Sequence, residues 1–167
     1  MHLPVFRKTY PSQLGDRNDE FFMKYAFNQA VDAFDAEEVP VGAVIVRGDE
    51  LIGAAHNEVN RTNDPTAHAE ILAITQAANI VGDWRLNECT LFVTKEPCPM
   101  CAGAIINSRI SQLVFGAYDE EKGACGSLYQ LCGDRRLDSK TAVKGGVEEE
   151  MCIAILQEYF QAKRNPK

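Results

Sequence analysis

The chain has 167 residues, of which 46% are hydrophobic and 25% charged; this suits one compact domain with a sizeable core and excludes a low-complexity or disordered polypeptide. The formal net charge of −7 is not that of a strongly basic nucleic-acid-binding domain. No apolar run reaches the roughly 18 residues a membrane span needs, so no membrane partner is expected.

The charge is uneven. Residues 1–121 hold 9 Lys/Arg against 18 Asp/Glu, whereas residues 122–167 hold 8 against 6. Arg135, Arg136, Lys140, Lys144, Lys163 and Arg164 therefore offer local docking points for a polyanion. Met1 to Tyr10 lacks a hydrophobic stretch ending in a small-residue cleavage site, which predicts a cytoplasmic protein.

Residues 1–16 carry two prolines and no period, and read as an irregular extension ahead of a single domain at 17–167. From Asn18 the pattern is helical, with Phe22, Ala26, Ala30, Ala33 and Phe34 at three- and four-residue intervals and Pro40 beyond the end. Val41 to Arg47 is rich in β-branched residues and reads as a strand. Gly48-Asp49 is a two-residue turn signal, which makes Glu50 to Asn57 its antiparallel partner.

Asn60 to Pro65 reads as a polar loop, and Thr66 as the cap of a second helix reaching about Asn79. Thr90 to Thr94 reads as a short strand ended by Pro97. Pro99 then suits the first position of a third helix, which runs to about Ser108. Gln112 to Ala117 reads as a strand, and residues 118–146 as Gly-rich polar chain with short helical possibilities. Glu148 to Lys163 is a final amphipathic helix whose end charges match the helix dipole. The order β-β-α-β-α-β with flanking helices implies an α/β domain with one mixed sheet covered on both faces.

Six cysteines are present. In a chain able to fold on its core alone, closely spaced cysteines favour metal binding over disulfides. Cys89, Cys125, Cys132 and Cys152 read as small buried thiols. Cys98 and Cys101 are different: three residues apart on a first helical turn, their sulfurs share one side and can take one tetrahedral zinc. His68 opens the neighbouring helix and supplies a third ligand. No fourth His or Cys follows at comparable spacing, which leaves the open position of a catalytic site.

Zinc in such a site lowers the pKa of a bound water from about 16 to roughly 7. Glu70, two residues from His68, is poorly placed to ligate the same ion but well placed to carry the water's proton to a substrate nitrogen. Each motif alone has an ordinary structural explanation: a helix cap, a redox pair, a dipole-favouring carboxylate. Their joint occurrence at helix starts favours the catalytic reading.

His-x-Glu followed by Pro-Cys-x-x-Cys resembles the zinc-deaminase signature, and the wider match is closer. DPTAHAEI at 64–71, EPCPMCAGAI at 96–105, SRI at 108–110, VFGA at 114–117, GACGSL at 123–128, VPVGAV at 39–44 and Asn57 all resemble bacterial tRNA-specific adenosine deaminases, a branch of the cytidine/deoxycytidylate-deaminase-like superfamily. The resemblance runs from about Asn18 to Arg164. It implies a three-layer α/β/α fold with a central mixed sheet of about five strands, a homodimer, and one zinc ion per subunit. The implied reaction is hydrolytic conversion of adenosine to inosine at the wobble position of a tRNA anticodon loop, with the anticodon stem-loop as partner. It implies His68, Cys98 and Cys101 as ligands, Glu70 as proton shuttle, and substrate-binding roles for Asn57, Ala69, Val39 and Pro40.

The chain also departs from the family pattern. Lys95 stands where relatives commonly carry Leu before Glu-Pro-Cys. Tyr118-Asp119-Glu120-Glu121-Lys122 stands where they often show Arg, then Asp, then Lys. Added carboxylates at a phosphate-binding rim would weaken RNA docking.

Two other readings compete. A deaminase of a free base or nucleoside, such as guanine, cytosine or a pterin-like base, would use the same zinc site and fits the acidic charge. A non-catalytic zinc protein, the structural partner of a heterodimeric editing enzyme, would typically lack the shuttle glutamate that is present here as Glu70.

Overall fold

The computed structural model describes residues 6–165. In chain order it contains α1 (Asp19–Asp35), β1 (Gly42–Arg47), β2 (Glu50–His56), α2 (Val59–Thr62), α3 (Ala69–Val81), β3 (Cys89–Lys95), α4 (Pro99–Asn107), β4 (Gln112–Ala117), two 3₁₀ turns (Leu131–Gly133 and Arg135–Leu137), β5 (Ala142–Lys144) and α5 (Glu149–Arg164).

The strands form one sheet in the order β2-β1-β3-β4-β5. β1 is antiparallel to both β2 and β3, while β3, β4 and β5 run parallel. Alternate residues of each strand enter opposite cores, as the period of two demands. Ala43, Ile45, Leu91, Val93, Leu113 and Phe115 pack with Ala69, Ala73 and Ala77 of α3 and Ala102 and Ile105 of α4. Val44, Val46, Phe92 and Val114 pack with Phe22, Ala26 and Ala30 of α1 and Cys152 and Ile155 of α5, and Ala117 at the end of β4 breaks the alternation to join them. The architecture is thus the expected three-layer α/β/α sandwich around a mixed five-stranded sheet.

Local chemistry explains the element ends. Asn18 caps α1 by accepting from the Phe21 N–H at 2.9 Å. Gly48, at φ 62°, and Asp49 close the β1–β2 hairpin between the paired residues Arg47 and Glu50. Gly42 is required by packing: a Cβ there would lie 2.1 Å from the Ala26 carbonyl oxygen, so α1 rests directly on β1.

Several sequence expectations need correction. The second helix begins at Ala69, and its N-cap is His68. Thr66 instead turns its N–H and hydroxyl to the Asp64 carboxylate at 2.8 and 2.7 Å, so the preference of Asx groups for turns holds the chain out of the helix. The loop at 60–65 begins inside the single helical turn α2. β5 lies within the segment read as Gly-rich chain with helical possibilities; its three residues recruit their hydrogen bonds from β4, which no local pattern announces.

Of the extension expected at 1–16, residues 1–5 lie outside the described residues. Residues 6–16 contain no helix or strand but are tied to α1. The Thr9 N–H donates to Asn28 Oδ1, Asn28 Nδ2 donates to the Thr9 carbonyl, and Phe6 packs edge-on to Phe27 and Phe34.

Candidate active site

β2 and β3 point the same way, each antiparallel to the β1 strand between them. α3 follows β2 and α4 follows β3, so both helices start at the same carboxyl edge of the sheet, where open α/β sheets bind ligands. This topology brings His68, N-cap of α3, to Cys98, N-cap of α4, and to Cys101, one turn further on. His68 Nδ1 lies 3.7 Å from Cys98 Sγ and 3.5 Å from Cys101 Sγ. All three donor atoms fall within 4.8 Å of one another, and theirs is the one such cluster among the described residues.

The electrostatics fit a divalent cation. A hydrogen bond from Cys101 and another from His68 outweigh burial and pull the Cys98 thiol down to about 3, the thiolate form. Cys101, which donates that bond and is itself buried, is pushed up. His68 is raised, chiefly by its bond to Cys98. One imidazole nitrogen and two sulfurs thus meet within hydrogen-bonding reach of one another at two helix N-termini. A dication would displace their protons and hold both sulfurs as thiolates. The donor set, one nitrogen and two sulfurs, suits zinc.

Glu70 is 4% exposed on the first turn of α3, and burial raises its carboxyl above the ordinary range. It faces the same cavity of about 370 Å³ as His68 and Cys98, whose walls include Val39, Val41, Asn57, Ala69, Lys95, Asp119, Lys122 and Phe160. Val39, Asn57 and Ala69, for which the resemblance implies substrate binding, line this cavity. Pro40 does not line the cavity. It is the central residue of a tight turn closed by the Val41 N–H on the Val39 carbonyl at 2.8 Å. The turn aims Val39 and Val41 at the cavity and buries the proline ring elsewhere.

Two buried carboxylates that sequence reading missed hold this site together. Glu38, 1% exposed, accepts from Asn57 Nδ2 at 3.2 Å and from the N–H groups of Asn60 at 3.1 Å and Arg61 at 2.7 Å. It thereby orients the Asn57 amide and caps α2. Glu96 accepts from the N–H groups of Asp119, Cys125 and Ser127 and from the Ser127 hydroxyl. A Cβ at Gly123 would collide with that carboxylate at 2.1 Å. The Glu-Pro-Cys motif therefore fastens the GACGSL loop beside the ligands. No local sequence signal marks either residue, because every partner lies 19 or more positions away.

Replacing Glu38 by alanine strands three donors around a buried hole. The expected loss of stability is about 2 kcal/mol or more, read as a lower urea midpoint at unchanged slope. A midpoint equal to wild type would show that Glu38 organises nothing.

Phe160 was also missed. It reaches the cavity from α5, and Lys163 and Arg164 follow it in the helix's last turn. Of the other basic side chains singled out in the sequence, Lys144 pairs with Asp19 at 2.7 Å and Arg136 with Asp134 at 2.6 Å. Glu120 and Glu121 are exposed and do not line the cavity; the carboxylate at its mouth is Asp119. The remaining cysteines, Cys89, Cys125, Cys132 and Cys152, are buried and unpaired, as expected.

Comparison with known proteins agrees with this geometry. The family model for MafB19-like deaminases matches residues 17–164. A tRNA-specific adenosine deaminase of Bacillus subtilis is 44% identical over 149 residues, covering 89% of this chain and 92% of the relative. A structure solved in a study of A-to-I editing by tRNA:A34 deaminases superposes with a TM-score of 0.78 at 38% identity, covering 81% of this chain and 98% of that one. A guanine deaminase from Nitrosomonas europaea superposes with a TM-score of 0.75 at 25% identity, covering 95% of each chain. The chain belongs to the deaminase family that contains the tRNA-specific adenosine deaminases.

Proposed function

We propose that this protein is a zinc-dependent hydrolytic deaminase that converts adenosine to inosine at the wobble position of a tRNA anticodon loop. The observation that carries the reading is the meeting of His68, Cys98 and Cys101 beside buried Glu70, in a cavity of about 370 Å³, within a chain 44% identical to a tRNA-specific adenosine deaminase. His68 Nδ1 and the two sulfurs hold one zinc ion per subunit. When bound, zinc supplies the Lewis acidity that makes water a nucleophile at neutral pH.

The rest of the chemistry falls to the chain. Glu70 accepts the water's proton and returns protons to the purine ring nitrogen and the departing amino group, a transfer favoured by a carboxyl whose pKa burial has raised. Asn57, held by Glu38, hydrogen-bonds the base. Val39, Val41 and Val59 shape an apolar wall for its ring. A single-stranded loop lets one base be turned out into this cavity at small unstacking cost, and contacts to its neighbours align it. Lys163 and Arg164 extend the contact surface beyond Phe160.

The enzyme acts in the cytoplasm as a homodimer. Ile74 and Ala78 of α3 and Ala104 of α4 line a shallow apolar surface on the outer layer, which suits a self-complementary contact.

Turnover of a matched anticodon stem-loop should exceed that of free adenosine by orders of magnitude, because a free nucleoside lacks the flanking contacts that align the ring carbon. Activity on RNA should fall steeply with added salt while zinc content stays constant. A second reading, deamination of a free base such as guanine, is favoured by the net charge of −7 and by the likeness to the Nitrosomonas enzyme. Equal turnover of guanine and the stem-loop, without salt dependence, would establish that reading instead.

A further inference from the structure

The cavity is lined by an ion pair that the chemistry proposed above does not use. Lys95, the last residue of β3, lies three residues before Cys98 and lines the cavity. Its ammonium pairs with Asp119 Oδ2 at 2.9 Å. Neither partner is loose: the side chains are 29% and 12% exposed. Asp119 is fixed further, because Oδ1 accepts from the N–H groups of Glu121 and Lys122 at 3.0 and 3.2 Å and its own N–H donates to Glu96 at 3.2 Å. Lys95 is therefore a cation held at a set place beside the proposed ligands, not a wandering surface lysine.

The surrounding charges sharpen the point. Lys122 lines the same cavity, so two cations stand among its carboxylates Glu38, Glu70, Glu96 and Asp119, of which Glu38 and Glu96 are already turned to N–H donors. Glu120 and Glu121 do not line it.

We propose that Lys95 is a substrate-binding, specificity-determining residue that contacts the phosphodiester next to the reacting nucleotide. An ammonium has three donors, and Asp119 takes one. The other two remain for a non-bridging phosphate oxygen, while Asp119 holds the side chain in one rotamer and lowers the entropy lost on binding. The contact selects nucleotides embedded in a strand over free bases, which carry no phosphate. This rests on the reading of an RNA substrate given above.

Four proteins test it: wild type, Lys95→Leu, Lys95→Gln and Lys95→Arg. Each is loaded with zinc, checked for one equivalent of metal and for its melting temperature, and assayed on the anticodon stem-loop and on free adenosine over a range of KCl. Loss of one phosphate contact should lower kcat/KM on RNA about tenfold for Lys95→Leu, mostly through KM, and flatten the slope of log kcat/KM against log salt by about 0.7 to 1. Lys95→Arg should retain most activity and the full slope. Lys95→Gln, which keeps a hydrogen bond to Asp119 but no charge, should behave like Lys95→Leu even if the leucine variant folds poorly.

An unchanged slope and unchanged KM in both uncharged variants, with wild type active on RNA, would overturn the role of Lys95 and leave the tRNA reading standing. A salt-independent loss on RNA and adenosine alike would also overturn it, since that marks a structural role of the ion pair. Wild type inactive on the stem-loop but active on a free base would overturn the tRNA reading itself, and this proposal with it.

Discussion

Changing Cys98 and Cys101 together to alanine is expected to reduce bound zinc from about one equivalent to none and to abolish turnover. The three donor atoms lie within 4.8 Å of one another, and no other such group exists among the described residues, so nothing nearby can substitute for two lost sulfurs. A single imidazole retains zinc far more weakly than a three-ligand site. The fold should survive, because the sheet and both apolar cores owe their packing to residues other than these two thiols. The check is elemental analysis of the purified double variant beside its circular dichroism spectrum. Full metal content in a folded variant would show that the ion is held elsewhere and would end the present assignment.

Glu70→Gln gives the complementary result: zinc and fold are kept, and turnover drops by at least 10²- to 10⁴-fold, the usual contribution of a positioned proton carrier. Glutamine preserves the shape and most hydrogen bonding of the buried side chain but cannot take a proton. It also removes the cost of a charge buried at 4% exposure, so the variant should be at least as stable as wild type. Single-turnover assays on the stem-loop, paired with metal analysis and a melting curve, check this. Near-normal rates would place proton transfer on another group; loss of zinc would make Glu70 a ligand and require a different mechanism. Read together, the two variants separate metal binding from proton transfer, which no single substitution at the site does.

How far these results were legible in the chain depends on the range of the interactions behind them. Local periodicity announced α1, the β1–β2 hairpin, α4 and α5, because each places apolar residues on one face within a short stretch. The ligand set was legible for a similar reason: Cys98 and Cys101 share a helical turn, and His68 and Glu70 lie two residues apart. Turn chemistry was misjudged at Thr66, where Asp64 competes for the groups that would have capped a helix; Pro40, implied at the pocket wall by the resemblance, lies in a tight turn at 39–41 and does not line the cavity.

Only the tertiary structure decided what depends on the order of strands in the sheet. β5 is three residues long and exists because β4 offers an unpaired edge. Glu38 and Glu96 are satisfied chiefly by backbone N–H groups 22 to 31 positions away in the chain, so nothing near them in the sequence marks them as the fasteners of the site. Phe160 and Lys122 reach the cavity only through the layers that fold their elements over it, and the Lys95–Asp119 pair forms because β3 and β4 end side by side. The sequence by itself thus determined which atoms can hold a metal and carry a proton, since that chemistry resides in short spacings. The shape and charge of the mouth, and hence what enters it, were set by contacts between distant segments, whose partners are chosen by burial and sheet pairing rather than by their neighbours in the chain.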